Sequence, residues 1–280
     1  MLDQSAAPSV ATKTVYLKDY QAPDFLVDSV DLEFELGETV TSVVSRLKLR
    51  RNSNGDSVAP LVLDGEELEL TCLELDGKQL KESEYQLDGK QLRIAQVPDD
   101  FELLATVLIK PQENTQLSGL YKSGGNFCTQ CEAEGFRRIT FFPDRPDVLS
   151  IFSVRIMADH KRYPVLLSNG NPCEAGELDD GRHWALWKDP WPKPSYLFAL
   201  VAGNLAHIED SFSTMGGKGG GKEVTLRIYT EHHNIEKCSH AMRSLRKAMQ
   251  WDEEVYGREY DLDVYNIVAV DDFNMPPPPP

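Results

Sequence analysis

Hydrophobic and polar positions alternate from the start of the legible pattern. Val30, Leu32, Phe34 and Leu36 fall on one side, with Asp31, Glu33 and Glu35 on the other, which is the signature of a strand with one buried face. A second alternating run covers Val43 to Arg50 after the Gly37-Glu38 turn. Asn54-Gly55 then interrupts the chain before Leu61-Val62-Leu63, and strand-like runs continue to about residue 110. The hexapeptide LDGKQL occurs at 75–80 and again at 87–92. Each copy carries Asp-Gly, so two successive hairpins of one antiparallel sheet are expected. Strand patterns resume at Leu149 to Met157, Trp184 to Trp187 and Tyr196 to Val201, with Asn169-Gly170 and Asp180-Gly181 as turns. Residues 16–203 therefore read as a mainly β unit, an antiparallel sheet folded on itself as in a β-sandwich.

The pattern changes after residue 203. Val224 to Tyr229 is one more alternating strand. Ile235, Cys238, Ala241, Met242, Leu245, Ala248 and Met249 then recur at helical spacing, with Asn234 as the expected N-cap and Gly257 as the stop. Val264 to Val270 is nearly continuous in apolar residues, the type of strand buried on both faces. Strand, helix and strand open an α/β unit over 204–275, too little for an independent core. Residues 1–15 are expected to be a flexible tail. The last five residues, 276–280, are all proline, a polyproline extension that can neither donate ladder hydrogen bonds nor continue a helix.

Charge narrows the partners. The formal net charge is -16, and no basic run accompanies it, which argues against a nucleic-acid partner and favours cationic ligands such as free amines. The first twenty residues have no apolar signal core, and no stretch is long and apolar enough to span a bilayer, so no membrane partner is expected. Five cysteines scattered over a chain of this size fit a reducing compartment better than a disulfide framework, so a cytoplasmic location is expected.

Several stretches carry candidate chemistry. Gly216 to Lys222, GGKGGGK, satisfies the G-x-x-x-x-G-K spacing of a phosphate loop. Glu223 stands where Ser or Thr would hold magnesium, and a strand follows instead of a helix, so a hairpin loop is expected. The histidines offer no pair four residues apart on a helix, and His233, His240 and Cys238 lack a companion ligand at metal spacing. In CTQCEAEG, residues 128–135, Cys128 and Cys131 stand at C-x-x-C spacing without a second pair, open to metal or redox chemistry or to a structural role. Gln130, Glu132 and Glu134 are interleaved with them. In an extended segment these three share a face, either as a cluster able to hold an ammonium group or as a solvated acidic edge.

Longer motifs decide between these readings. CTQCEAEGFRRITFFPDRPDV at 128–148, YPVLLSNGN at 163–171, GRHWALWKDPWPKPSYLFALVAG at 181–203 and MQWDEEVYGREYDLDVYNIVAVDDFNM at 249–275 together resemble the aminopeptidase N, or alanyl aminopeptidase, family of zinc metallopeptidases, in its bacterial and plant-type branch. The similarity runs from about Tyr16 to Met275. It implies an antiparallel, β-sandwich-like N-terminal domain over 16–203 and the truncated start of an α/β, thermolysin-like catalytic domain over 204–275. It also implies that Gln130 and Glu132 bind the free α-amine of a peptide substrate, and that Met275 cushions the first substrate side chain.

The departure from the family pattern matters as much. Where the family continues NMGAMEN, this sequence reads NMPPPPP, without the G-A-M-E-N glutamate, the H-E-x-x-H helix, the third zinc ligand or the oxyanion-stabilising tyrosine. The resemblance thus implies the N-terminal portion of an enzyme that removes N-terminal residues from peptides. Zinc belongs to the complete family enzyme and is not expected to bind this chain, which is expected to be inactive alone. The alternative is a noncatalytic β-sandwich module, from a truncated or spliced product, that binds partners or peptide N-termini.

Overall fold

A computed structural model describes residues 16–216 and 221–271. The 1–15 tail, residues 217–220 of the glycine run, Met275 and the prolines at 276–280 lie outside the described residues.

Among these residues the strands form four sheets. The largest runs in spatial order through Asn171–Glu177, Arg182–Pro194, Leu149–Asp159, Phe25–Glu35, Thr41–Arg51, Asp100–Ile109, Glu69–Leu75 and Lys78–Gln79. Val30, Leu32, Phe34 and Leu36 are all buried, as the alternation predicts, and Val43, Leu47, Leu103, Val107, Phe152, Val154 and Ile156 continue the same apolar layer. Polar partners occupy the opposite face, where Arg46 pairs with Glu102 at 2.5 Å and Arg50 with Asp28 at 2.9 Å. Over the apolar layer lie a four-stranded sheet (Val165–Ser168, Leu200–Gly203, Asn126–Gln130, Gly119–Ser123) and a three-stranded one (Leu61–Asp64, Gln91–Ile94, Gln86–Leu87), whose buried side chains join one continuous core.

Two expectations need correction. The large sheet is not purely antiparallel: Phe25–Glu35 runs parallel to Leu149–Asp159, with Ser29 opposite Ile151. Alternation reports which face is buried and is silent on strand direction. The LDGKQL copies both form hairpins, but in different sheets. In the first, Leu75 faces Lys78 across a two-residue turn in which Asp76 and Gly77 both have positive φ. In the second, Leu87 faces Leu92 across four residues, and Asp88 Oδ1 accepts from the backbone N–H groups of Lys90 and Gln91. The same six residues take two turns because their flanks are committed to different ladders.

The remaining sheet orders Ala206–Ser213, Glu223–Thr230 and Val264–Ala269, the last two parallel and joined through the helix Ser239–Tyr256. Helix and sheet bury a small cluster of their own: Phe212, Val224, Leu226 and Ile228 against Cys238, Met242, Leu245 and Met249. The other side of the sheet sends Tyr229 and Val264 into the main core, so 206–271 is fused to the β unit beneath it. The apolar stripe is narrower than the sequence suggests, since Ala241 and Ala248 are exposed. Val264–Ala269 occupies a sheet edge and most of its residues are only half-buried.

The helix also starts later than expected. His232–Cys238 is a 3-10 turn, and Asn234 spends its side-chain amide on Asp271 Oδ1 at 2.7 Å instead of capping. The stop is as predicted: Gly257 adopts the left-handed conformation, φ 62°, and its N–H donates to the Glu253 carbonyl.

Candidate functional site

The CTQCEAEG segment begins as a strand and ends as a turn. Asn126–Gln130 pairs along its length with Gly119–Ser123, and only Phe127 and Cys128 pair with Leu200–Gly203 on the other side. From Glu132 to Gly135 the chain turns, and the Gly135 N–H donates to the Cys131 carbonyl at 2.8 Å. A side chain at 135 would collide with the Gln130 carbonyl and come within 2.8 Å of the Gly119 nitrogen, so the turn closes this tightly only on glycine. The extended face through Gln130, Glu132 and Glu134 therefore does not form. The backbone leaves the strand after Gln130, and Glu134 pairs with Arg137 at 3.4 Å.

Gln130 and Glu132 nonetheless stay together. Gln130 Nε2 donates to the Glu132 backbone carbonyl at 3.2 Å, which holds the amide over the turn. The Glu132 side chain is exposed, and no described residue pairs with its carboxylate. An amide oxygen and a free carboxylate at the lip of a fixed turn suit an ammonium ligand through charge-assisted hydrogen bonds.

The turn is fixed by residues that the sequence reading passed over. Phe136 is fully buried and meets Phe142, Phe152 and Phe198 with ring centroids 5.1, 5.9 and 5.2 Å away. Arg137 donates through its backbone N–H and Nε to Asp144 Oδ2, at 3.1 and 3.2 Å, and through Nη2 to the Asp144 carbonyl. The Asp144 side chain is 1% exposed and takes a further bond from Ser195 Oγ at 2.5 Å on its other oxygen, so this buried carboxylate is satisfied on both sides. Arg138 pairs with Glu66 and Glu67, both at 2.8 Å. The signal available in FRRITFFPDRP was a pair of arginines next to a buried-looking aromatic with an aspartate seven residues on.

The two cysteines face inward. Burial pushes the Cys128 thiol up to about 11, with the charge of Glu231 adding to it, and burial raises Cys131 further, helped by Asp144. Burial thus favours the neutral thiol at both positions over the reactive thiolate. Glu231 also accepts the Asp271 N–H at 3.1 Å, so the strand 264–269 delivers the chain to the neighbourhood of Cys128, two residues from Gln130.

The other candidates separate. The glycine run joins two antiparallel strands, with the Thr214 N–H donating to the Lys222 carbonyl at 2.9 Å. His233 pairs with Asp271, Cys238 is buried, and His240 stands on the helix without a second histidine, so the described residues do not assemble the zinc site of an H-E-x-x-H helix. One group with ligand atoms in reach of a common ion does exist among them: His160, Glu177 and His183. Sequence spacing hid it because strand register, not helical periodicity, brings the three together. No described helix is long and apolar enough to cross a membrane.

Comparison with known proteins agrees with this architecture. Residues 28–197 match the Peptidase M1 N-terminal domain. The chain is 53% identical over 263 residues to an aminopeptidase N of Caulobacter vibrioides, and 47% identical over 260 residues to that of Escherichia coli. These alignments cover 94% and 93% of this chain but 30% and 29% of those proteins, so the chain spans about three-tenths of their length. Among solved structures, aminopeptidase A of Legionella pneumophila, in complex with aspartic acid, superposes with a TM-score of 0.85 at 39% identity, over 91% of this chain and 30% of that one. An M1 zinc metallopeptidase of Deinococcus radiodurans shares the fold, with a TM-score of 0.69 at 16% identity, over 88% of this chain and 56% of that one.

Proposed function

This chain belongs to the Peptidase M1 N-terminal domain family, and from that premise we propose that it is the amine-binding portion of a zinc metalloaminopeptidase that removes N-terminal residues from peptides. The carrying observation is that the Gln130 amide is tied to the Glu132 backbone carbonyl, leaving the Glu132 carboxylate free, on a turn pinned by Phe136, Arg137 and Asp144. A peptide's α-ammonium fits this pair and an acetylated terminus does not, because acetylation removes the charge and two donors. Met275, in this reading, lines the first side-chain pocket. Residues 16–203 form the N-terminal domain and 204–275 open the catalytic one.

Zinc in such an enzyme activates water for attack on the peptide carbonyl. The described residues supply no pair of histidines four residues apart on a helix for that ion, and no step of hydrolysis is assigned to them. The chain binds and orients a substrate terminus without cleaving it. Five unpaired cysteines support a cytoplasmic setting.

The test is calorimetry of the 280-residue chain with a short peptide carrying a free or an acetylated N-terminus, repeated with Glu132→Gln. Binding is expected for the free amine alone and should be lost in the variant. Equal heats for both peptides would sink the amine anchor, and chelator-sensitive hydrolysis of an alanyl reporter by this chain would sink the inactivity.

A further inference from the structure

At one margin of the large sheet three side chains are placed by strand pairing. Arg182–Pro194 lies between Leu149–Asp159 and the edge strand Asn171–Glu177. Register sets His183 opposite Glu177 on one side and opposite Ala158 on the other. His160 follows Ala158 by two residues, and its N–H still reaches across to the Gly181 carbonyl, so its side chain returns to the same face.

The side-chain geometry follows from that placement. The rings of His160 and His183 stack with centroids 4.3 Å apart and planes 8° from parallel. Glu177 Oε2 lies 2.9 Å from His160 Nδ1, and one ligand atom from each of the three residues lies within 4.8 Å of the others. His183 Nε2 donates to the Tyr163 carbonyl at 2.7 Å, and Tyr163 is itself buried, with its hydroxyl donating to Glu38 at 2.6 Å. A backbone carbonyl that takes the Nε2 proton fixes the tautomer and leaves Nδ1 with a free lone pair, the arrangement that orients ligating histidines. The neighbouring cation is already committed, since Arg182 pairs with Asp180 at 2.6 Å and with Glu35.

We propose that His160, Glu177 and His183 form a divalent transition-metal site of the zinc class, with two imidazole nitrogens and one carboxylate oxygen as ligands and water completing the shell. Imidazole with carboxylate is a donor set suited to Zn²⁺. Ligand atoms on one zinc stand closer together than 4.8 Å, and the exposed side chains of His160 and Glu177 supply the rotation that closes the gap, while His183 stays anchored.

The experiment titrates the metal-stripped 280-residue chain with Zn²⁺ against a chromophoric chelator and follows the imidazole resonances by NMR. One equivalent is expected, with His160 and His183 shifting and the other histidines unmoved. His183→Ala and Glu177→Gln should each weaken binding by at least about tenfold, and Cys173→Ser, which removes the exposed thiol, should leave it unchanged. Both ligand positions lie at the sheet margin, and circular dichroism of each variant checks that the fold persists. The proposal is overturned if His183→Ala binds zinc as tightly as the parent, if Cys173→Ser abolishes uptake, or if saturating zinc leaves the His160 and His183 resonances in place.

Discussion

The floor beneath the CTQCEAEG turn and the strand–helix–strand unit at 206–271 solve the same packing problem with unequal means. Under the turn, Phe136, Phe142, Phe152 and Phe198 interlock edge to face, with sheet on both sides and a satisfied carboxylate beside them. The second unit buries one stripe of a single helix on one sheet face, and it leaves Trp251, Val255 and Tyr256 exposed together with an edge strand. The denser packing lies under the turn that, in the proposed function, would position an amine. The thinner unit draws its stability from the β core through Tyr229 and Val264.

The sharpest way to break this contrast is Phe136→Ala. Loss of a fully buried ring costs about 3–5 kcal/mol, so the whole chain should melt at lower temperature, with amine binding lost in step. Next comes Leu245→Ala, at about 2 kcal/mol. Its effect should show in hydrogen exchange as lost protection across 239–256 while 25–35 and 149–159 keep theirs. Equal loss in both regions would mean that the two units open as one, and the contrast would fall.

An alkaline titration offers a third test. The folded pKa of Cys128 is raised to about 11 by burial and Glu231, so in the unfolded chain the thiol ionises first. Its contribution is complete below the ordinary thiol value and is lost as pH rises towards the folded one. Stability should fall by about 2–3 kcal/mol over that interval, and Cys128→Ser should flatten the curve. A curve unchanged by the substitution would deny the thiol its buried, protonated state. The smallest effect belongs to Gly257→Ala. Nothing crowds that position, and the left-handed conformation alone costs about 1 kcal/mol, read as a small drop in helix protection.

Much of this was legible in advance, and the exceptions share a cause. Val30 through Leu36, the Gly257 stop and the strand–helix–strand order after residue 203 are local patterns, written in periods of two and 3.6 residues. The parallel pairing of 25–35 with 149–159, the division of the LDGKQL hairpins between two sheets and the His160–Glu177–His183 group depend on which distant segments meet. Gln130 and Glu132 are candidates named through family motifs, and the turn that holds them was not foreseen. Asp144 became visible as its anchor only once the fold had brought Ser195 and Arg137 to its two oxygens.

The parallel ladder between Phe25–Glu35 and Leu149–Asp159 sets a timetable for synthesis. Ser29 meets Ile151, 122 residues later in the chain, an interval that takes roughly 6–25 s at ordinary ribosomal speed. Throughout it one side of the central strand of the largest sheet has no partner, an open edge of the kind that recruits other chains. Nascent chains arrested before residue 149 should be held by a chaperone or cut by added protease, and those released past residue 194 should resist both.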